Sequence, residues 1–227
     1  MCGRYTLHSP KEDVEEHFEG KTEHSGDLFE PRYNIAPGTI NPVVVRSDAG
    51  HRMITGYRWG LIPPWADDEN TGYNMINARA ETLQEKKTYQ KPFQYRRCII
   101  PANGFFEWKT EEREKQPFYI RLLSEELIGF AGLFERWAPK NQEEVYSYTI
   151  ITTEANALVQ PLHDRMPVIL KKEDYGFWLD PEQQDLDELQ ALLKPYDEIS
   201  HMATYRVTDE VNKTKNDKPE LIQPIPK

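Results

Sequence analysis

LIGFAGLFERW (residues 127–137) and VYSYTIITT (145–153) decide the fold class. Both are apolar runs rich in aromatic and β-branched residues, and both read as strands. Working outward, NPVVVR (41–46), HRMITGYRWGLI (51–62), RRCIIP (96–101) and QPFYIRLL (116–123) share that texture, several with alternating apolar residues. MPVIL (166–170) and MATYRV (202–207) add shorter strands. Helices are few. Ser9-Pro10-Lys11-Glu12 reads as a capping-box start, Val14 and Phe18 lie one turn apart on one face, and Gly20 is the expected stop. ANALVQPLH (155–163), KEDYGFWL (172–179) and DLDELQALLK (185–194) are the other expected helices. Many short strands with few helices predict an α+β fold: a largely antiparallel, twisted, partly closed (barrel-like) β core flanked by short helices.

The chain has 227 residues, enough for one sizeable core. Hydrophobic residues make up only 38% but aromatics 11%, which points to a core built on Tyr, Trp and Phe. Without an internal repeat, linker or composition break, one domain over residues 1–227 is the expectation, with 209–227 as an irregular arm over the body. No apolar run approaches membrane-spanning length, and the N-terminus turns polar at once. With only two cysteines, this predicts reduced thiols in the cytoplasm, in a bacterial-type setting close to the nucleoid. The formal charge of −10 argues against a protein that coats nucleic acid non-specifically. The acids, however, are concentrated in segments such as EDVEEHFEG and DLDEL, whereas NARAETLQEKKTYQKPFQYRRC (77–98) is basic and interleaved with aromatics.

The chain opens MCGRY. Removal of Met1 would leave a thiol and a free α-amine on the same residue, Cys2. The amine has a reference pKa of about 7.7–8.0, so roughly a tenth is the neutral nucleophile at pH 7. An aldehyde meeting this pair forms an imine with the amine, and the thiol closes on the imine carbon to give a five-membered thiazolidine. The second step is intramolecular and gains the effective concentration of a tethered reactant. The same residue also suits an N-terminal nucleophile with its own amine as base. On its own, Cys2 is equally open to being an accident of sequence.

Five further strings mix polar residues with Gly, Pro or aromatics in ways that strand propensity does not explain: RYNIAP (32–37), RWGLIPPWA (58–66), MINARAET (75–82), RCIIPANGFFEW (97–108) and HDRMPVIL (163–170). Together with MCGRY and the terminal ELIQPI, they make the chain resemble the SOS-response-associated peptidase family over nearly its whole length. The resemblance implies a compact α+β protein that binds single-stranded DNA. At abasic sites its N-terminal cysteine forms a stable thiazolidine with the ring-opened sugar, shielding the lesion. "Peptidase" then refers to release of the initiator methionine, and the implied activities are self-processing and lyase-like crosslinking.

The resemblance carries over residue by residue. Cys2 matches the crosslinking residue, Asn77 the active-site asparagine, Glu107 the catalytic glutamate and His163 the family histidine. Between Phe106 and Trp108, a partly buried Glu107 would have its pKa raised by desolvation, which suits proton transfer. Glu111, Glu112 and Glu114 read instead as plain solvated acids. Arg4, Arg79 and Arg165 are expected on phosphates flanking the lesion, and Asn34, Pro37 and Thr152 along the strand's path. Trp65 is either a stacking platform or a core residue. Some relatives carry two tryptophans where this chain has Trp65-Ala66, and the acidic DDEN (67–70) follows directly. Cys98 reads as a small buried residue. The histidines and cysteines show no paired metal spacing, and no phosphate-cradling glycine loop is present, so neither a metal nor another cofactor is expected. The expected partner is single-stranded DNA with an abasic site, bound by a monomer. Two rivals remain. An N-terminal-nucleophile glutamine amidotransferase explains MCG but not the other strings, and a non-covalent reader of modified or single-stranded DNA makes Cys2 incidental. Proteolysis of other proteins fits poorly with a pocket shaped as an aldehyde trap.

Overall fold

A computed structural model describes residues 2–22, 27–111, 114–124, 126–140 and 143–226, the side chains of Glu111 and Glu114 excepted. Met1, and the reading of Glu111, Glu112 and Glu114 as solvated acids, fall outside what is described. In chain order the strands begin with β1 (Tyr5–Leu7), β2 (Lys21–Thr22), β3 (Arg32–Ile35), β4 (Ile40–Arg46) and β5 (Arg52–Trp59). There follow β6 (Asn77–Arg79), β7 (Arg97–Ala102), β8 (Gly104–Glu111), β9 (Glu114–Leu122) and β10 (Ile128–Trp137). The last are β11 (Val145–Glu154), β12 (Arg165–Pro167), β13 (Ile169–Leu170) and β14 (Met202–Arg206). Four α-helices are described: α1 (Lys11–Phe18), α2 (Lys87–Tyr95), α3 (Tyr175–Leu179) and α4 (Leu186–Ala191).

The two deciding strands form the hub. β10 pairs antiparallel with β11 from Gly132↔Ile150 to Trp137↔Val145, and on its other edge with β7. The ladder continues through β4 to β5, and β5 returns to β11 in parallel at Ser147↔Arg58 and Tyr148↔Trp59. Five strands therefore close into a mixed barrel. A second, antiparallel sheet has the order β14-β9-β8-β1-β3. The α+β, barrel-like expectation agrees with this architecture, and the barrel closes through a parallel pairing.

The aromatic-rich composition shows where the core sits. Tyr5 of β1 packs edge-on to Trp59 (centroids 5.2 Å) and to Phe130 (6.1 Å), sealing the sheet against the barrel. Its hydroxyl shares a 2.8 Å hydrogen bond with that of Tyr148, which also accepts from Asn41 Nδ2 at 3.1 Å, so the buried polar atoms are paired. Alternation along β8 divides its neighbours by face: Phe105 joins the main core, whereas Phe106 joins a second cluster with Tyr119, Val207, Val211 and Leu221. The carboxyl of Glu107, two residues from Phe105, faces the same apolar side and is 1% exposed.

Three local expectations are corrected. Ser9 does not cap α1; its hydroxyl accepts from Asn103 Nδ2 (2.8 Å), and Pro10 precedes the helix without a side-chain cap. The helix ends before Gly20, at Glu19, whose φ of 52° closes a turn with Gly20 N donating to Glu15 O. ANALVQPLH forms turns and no helix: the Asn156 side chain accepts from the amides of Leu158 and Val159, and Pro161 supplies no amide to continue the pattern. Among the described residues no helix is long and apolar enough to cross a membrane.

Candidate active site around Cys2

The site is assembled from sequence-distant strands. Phe106 N donates to Arg4 O, and Tyr5 and Thr6 pair with Phe105 and Gly104. Carried one step further, that register sets Gly3 against Glu107 and places Cys2 at the end of the sheet. On the barrel side, β6 lies parallel to β11 with Asn77 opposite Ile150. Asn77 Nδ2 reaches across to donate to the Cys2 carbonyl at 2.9 Å. The other amide atom, Asn77 Oδ1, is buried without a hydrogen-bond partner among the described residues. A buried acceptor left unpaired costs on the order of 1–3 kcal/mol, so this oxygen is ready for a donor arriving with a ligand.

Electrostatics tie three further groups to this point. Cys2 is fully buried, and burial together with the nearby Glu107 pushes its thiol well above the usual range, so the folded protein holds it as S–H. Burial pushes Glu107 up to about 7, with Asp164 reinforcing the rise. His163, in the turn before β12, is lowered by burial. In the neutral ring Nδ1 accepts from Arg165 N at 2.9 Å, which leaves the proton on Nε2. The largely exposed Asp164 carboxylate lies 2.9 Å from the same Nδ1 and becomes its partner when the ring is protonated. The site therefore holds a protonated thiol, a carboxyl poised near neutrality, a neutral imidazole and an amide with a spare acceptor.

The residues expected on DNA divide into groups. Arg79, Thr152 and Arg165 lie on the adjacent strands β6, β11 and β12. Arg79 is exposed, whereas the guanidinium of Arg165 is held bidentately by Glu81 (2.8 and 2.9 Å) and by Thr152 O (2.6 Å). Thr152 is buried, its hydroxyl toward Ala78 O. Asn34 is 1% exposed and donates to the carbonyls of Val211, Lys213 and Asn216, while Arg4 bonds Asn34 Oδ1 and Val211 O. These two clamp the C-terminal segment beside the site, Asn34 buried and Arg4 half-buried.

Trp65 is 65% exposed, which decides between its two readings in favour of a surface indole. Its loop is firmly held: Trp137 Nε1 donates to Ala66 O (2.8 Å), and Ile62 N donates to Ser147 Oγ (2.8 Å). Gly60, at φ 117°, touches Gly72 so closely that a Cβ there would stand 2.6 Å from Gly72 O. The acidic DDEN has a local account, since Asp68 caps the following turn at Asn70 N and Glu69 pairs with Arg58 at 2.6 Å. Half-buried Pro37 precedes Gly38, which packs on the exposed ring of Tyr73. Glu81 and Asp164 are the site residues sequence reasoning missed. Their neighbours Arg79 and His163 were the available signal. Among the described residues no group of three or more His, Cys, Asp or Glu is placed to hold a metal.

The sheet and the closed barrel meet at Cys2, whose thiol is buried and whose carbonyl accepts from the Asn77 amide. The chain matches the family model described as SOS response associated peptidase (SRAP) over residues 1–214, and it belongs to that family. It is similar to abasic site processing protein YoqW of Bacillus subtilis, with 47% identity covering 98% of this chain and 99% of that one. It is also similar to abasic site processing protein HMCES of Xenopus tropicalis, with 30% identity covering 99% and 78%. Among solved structures, a Bacteroides thetaiotaomicron protein 28% identical in sequence superposes with a TM-score of 0.88 over 99% of this chain and all of the other.

Proposed function

We propose that this protein senses abasic sites in single-stranded DNA and captures the ring-opened sugar aldehyde on Cys2, once Met1 is removed, as a thiazolidine that shields the lesion. The observation that carries the reading is the convergence of Asn77 and Glu107 on Cys2, with Asn77 Nδ2 on the Cys2 carbonyl and the Glu107 carboxyl poised near neutrality. The printed names of the relatives, abasic site processing proteins, support the same substrate.

Because the thiol is held protonated, the amine attacks first. Its nitrogen adds to the aldehyde carbon and passes one N–H proton to the oxygen; the resulting hydroxyl leaves as water with a proton from Glu107, which gives the N-protonated imine. Cys2 Sγ then adds to the imine carbon, and the thiol proton returns to the Glu107 carboxylate, with neutral His163 as a carrier. One C–N and one C–S bond form, and one water is lost. Asn77 Nδ2 fixes the Cys2 backbone, and Oδ1 accepts from the amine or a sugar hydroxyl. Arg79 meets a phosphate and Trp65 offers a base platform at about 1–3 kcal/mol. The amidotransferase reading would need direct attack by a thiol that burial disfavours.

The test is a denaturing gel of protein with single-stranded DNA carrying one abasic site, beside undamaged DNA and Cys2→Ala. The expected result is a shifted band that survives denaturation only with both the lesion and Cys2. No band, with mass spectrometry confirming loss of Met1, would overturn the reading.

A further inference from the structure

The basic, aromatic-interleaved stretch in the sequence becomes α2 (Lys87–Tyr95), and no step of the capture chemistry uses it. Its inner face, Tyr89, Pro92 and Phe93, is buried beside β7 and β10. Its outer face carries Lys87, Lys91 and Tyr95 at successive i, i+4 positions, all exposed, with Tyr95 46% exposed, and exposed Lys86 directly precedes the helix. None of the three lysines has an ion pair among the described residues. Glu81 is engaged by Arg165 and Glu135 by Arg96, so the opposing charge comes from exposed Glu85 and from the acidic segment 182–188, which Arg97 and Gln190 tie to the two ends of this region. In a chain of net charge −10, this is a concentrated cationic stripe.

The stripe is continuous in the chain with the candidate site. Arg79, exposed at the end of β6, leads through the 3₁₀ turn Ala80–Thr82 into α2. The turn is fixed in place by Gln190 Nε2 on Ala80 O (3.1 Å) and, beyond it, by Gln90 Nε2 on Gln84 O (2.7 Å). At about 1.5 Å rise per residue, Lys87 and Lys91 are spaced by about 6 Å, and Tyr95 lies about 6 Å further on. Spaced cations ending in an exposed aromatic ring match a single strand, whose phosphates seek the lysines and whose bases stack on any ring.

We infer that the outer face of α2 is a second binding surface for single-stranded nucleic acid, a track that carries the strand away from Arg79. The inference rests on the proposed DNA reading for its choice of ligand. The track adds affinity for long strands without adding chemistry.

The test measures binding by fluorescence anisotropy over a range of salt, using abasic single strands of about 6 and about 20 nucleotides. Wild-type protein is expected to hold the long strand more tightly. Lys87→Gln with Lys91→Gln should weaken that binding about tenfold near 50 mM salt and flatten the log–log salt slope by about 1.4. Adding Tyr95→Ala should cost about tenfold more. Affinity for the short strand, and the gel-stable band it forms, should not change. Equal affinity of wild type for both lengths, a long-strand affinity and slope unchanged in the variant, or an equal loss on the short strand would each overturn the track. If wild type forms no covalent band while its long-strand advantage depends on the lysines, lesion capture fails and the track stands.

Discussion

Replacing Glu107 with glutamine is expected to slow covalent capture by about 10²- to 10⁴-fold and to make the protein more stable. The rate falls because glutamine neither gives a proton to the departing hydroxyl nor takes one from the thiol. Wild-type capture needs protonated Glu107, present below about 7, together with a neutral amine, whose ordinary pKa is about 7.7–8.0. The rate should therefore be bell-shaped, highest near neutral pH and falling on both sides, and the glutamine variant should lose the alkaline fall. Stability moves the other way. Folding raises the Glu107 pKa to about 7 from about 4.3 in an unfolded chain, so between those values the native state binds more protons. Stability is then fullest below the unfolded value and is lost as pH rises through 7. At 1 % exposure almost no solvent screens the group, and the gap amounts to about 3 kcal/mol above pH 7.5. Glutamine recovers it, raising Tm by about 10 °C at pH 8, with the difference largely closed by about pH 4.5. Equal melting curves for both proteins at pH 8 would mean that Glu107 is not held in a desolvated site.

This trade explains why the site was only partly legible in the sequence. A glutamate between two aromatics signals burial, so Glu107 was readable from its neighbours. The contact of Asn77 with Cys2 spans 75 positions, and no local pattern encodes it. Thr152 and Asn34 sit in strings that look like surface motifs, yet their polar atoms face inward to Ala78 O and to the terminal segment. β10 and β11 were plain from residue texture alone. The parallel return of β5 to β11 was not, because strand pairing direction is set by tertiary closure. α2 was missed for a different reason. Tyr89, Pro92 and Phe93 have helical spacing, but proline and a dense charge run hide it, and only packing on β7 and β10 settles the segment as a helix.

The residue that pins α2 gives the other large effect. Arg97 is buried, and its guanidinium donates all round to carbonyl oxygens: those of Phe93 and Gln94 at the end of α2, and those of Trp178, Asp180 and Gln183 at and beyond α3. These oxygens sit at helix C-termini or just past them, where carbonyls lack intrahelical partners and a cation is favoured. The group also lies over the Trp178 ring at 5.9 Å. Burial lowers its pKa only to about 10, so it stays charged at neutral pH. Arg97→Met leaves several buried carbonyls unpaired at once, and the expected cost is about 3–5 kcal/mol, a Tm lower by about 10 °C. Arg97→Lys keeps the charge but only three donors in a compact head, and should fall between the two. The losses should also differ by place, because Arg97 joins α2 and α3 while Cys2, Asn77 and Glu107 are held by other strands. Hydrogen exchange should therefore quicken first in α2 and around α3, and well below Tm the abasic-site band should form at the wild-type rate. Uniform loss of protection across β8 and β11 would show instead that this clamp supports the whole barrel.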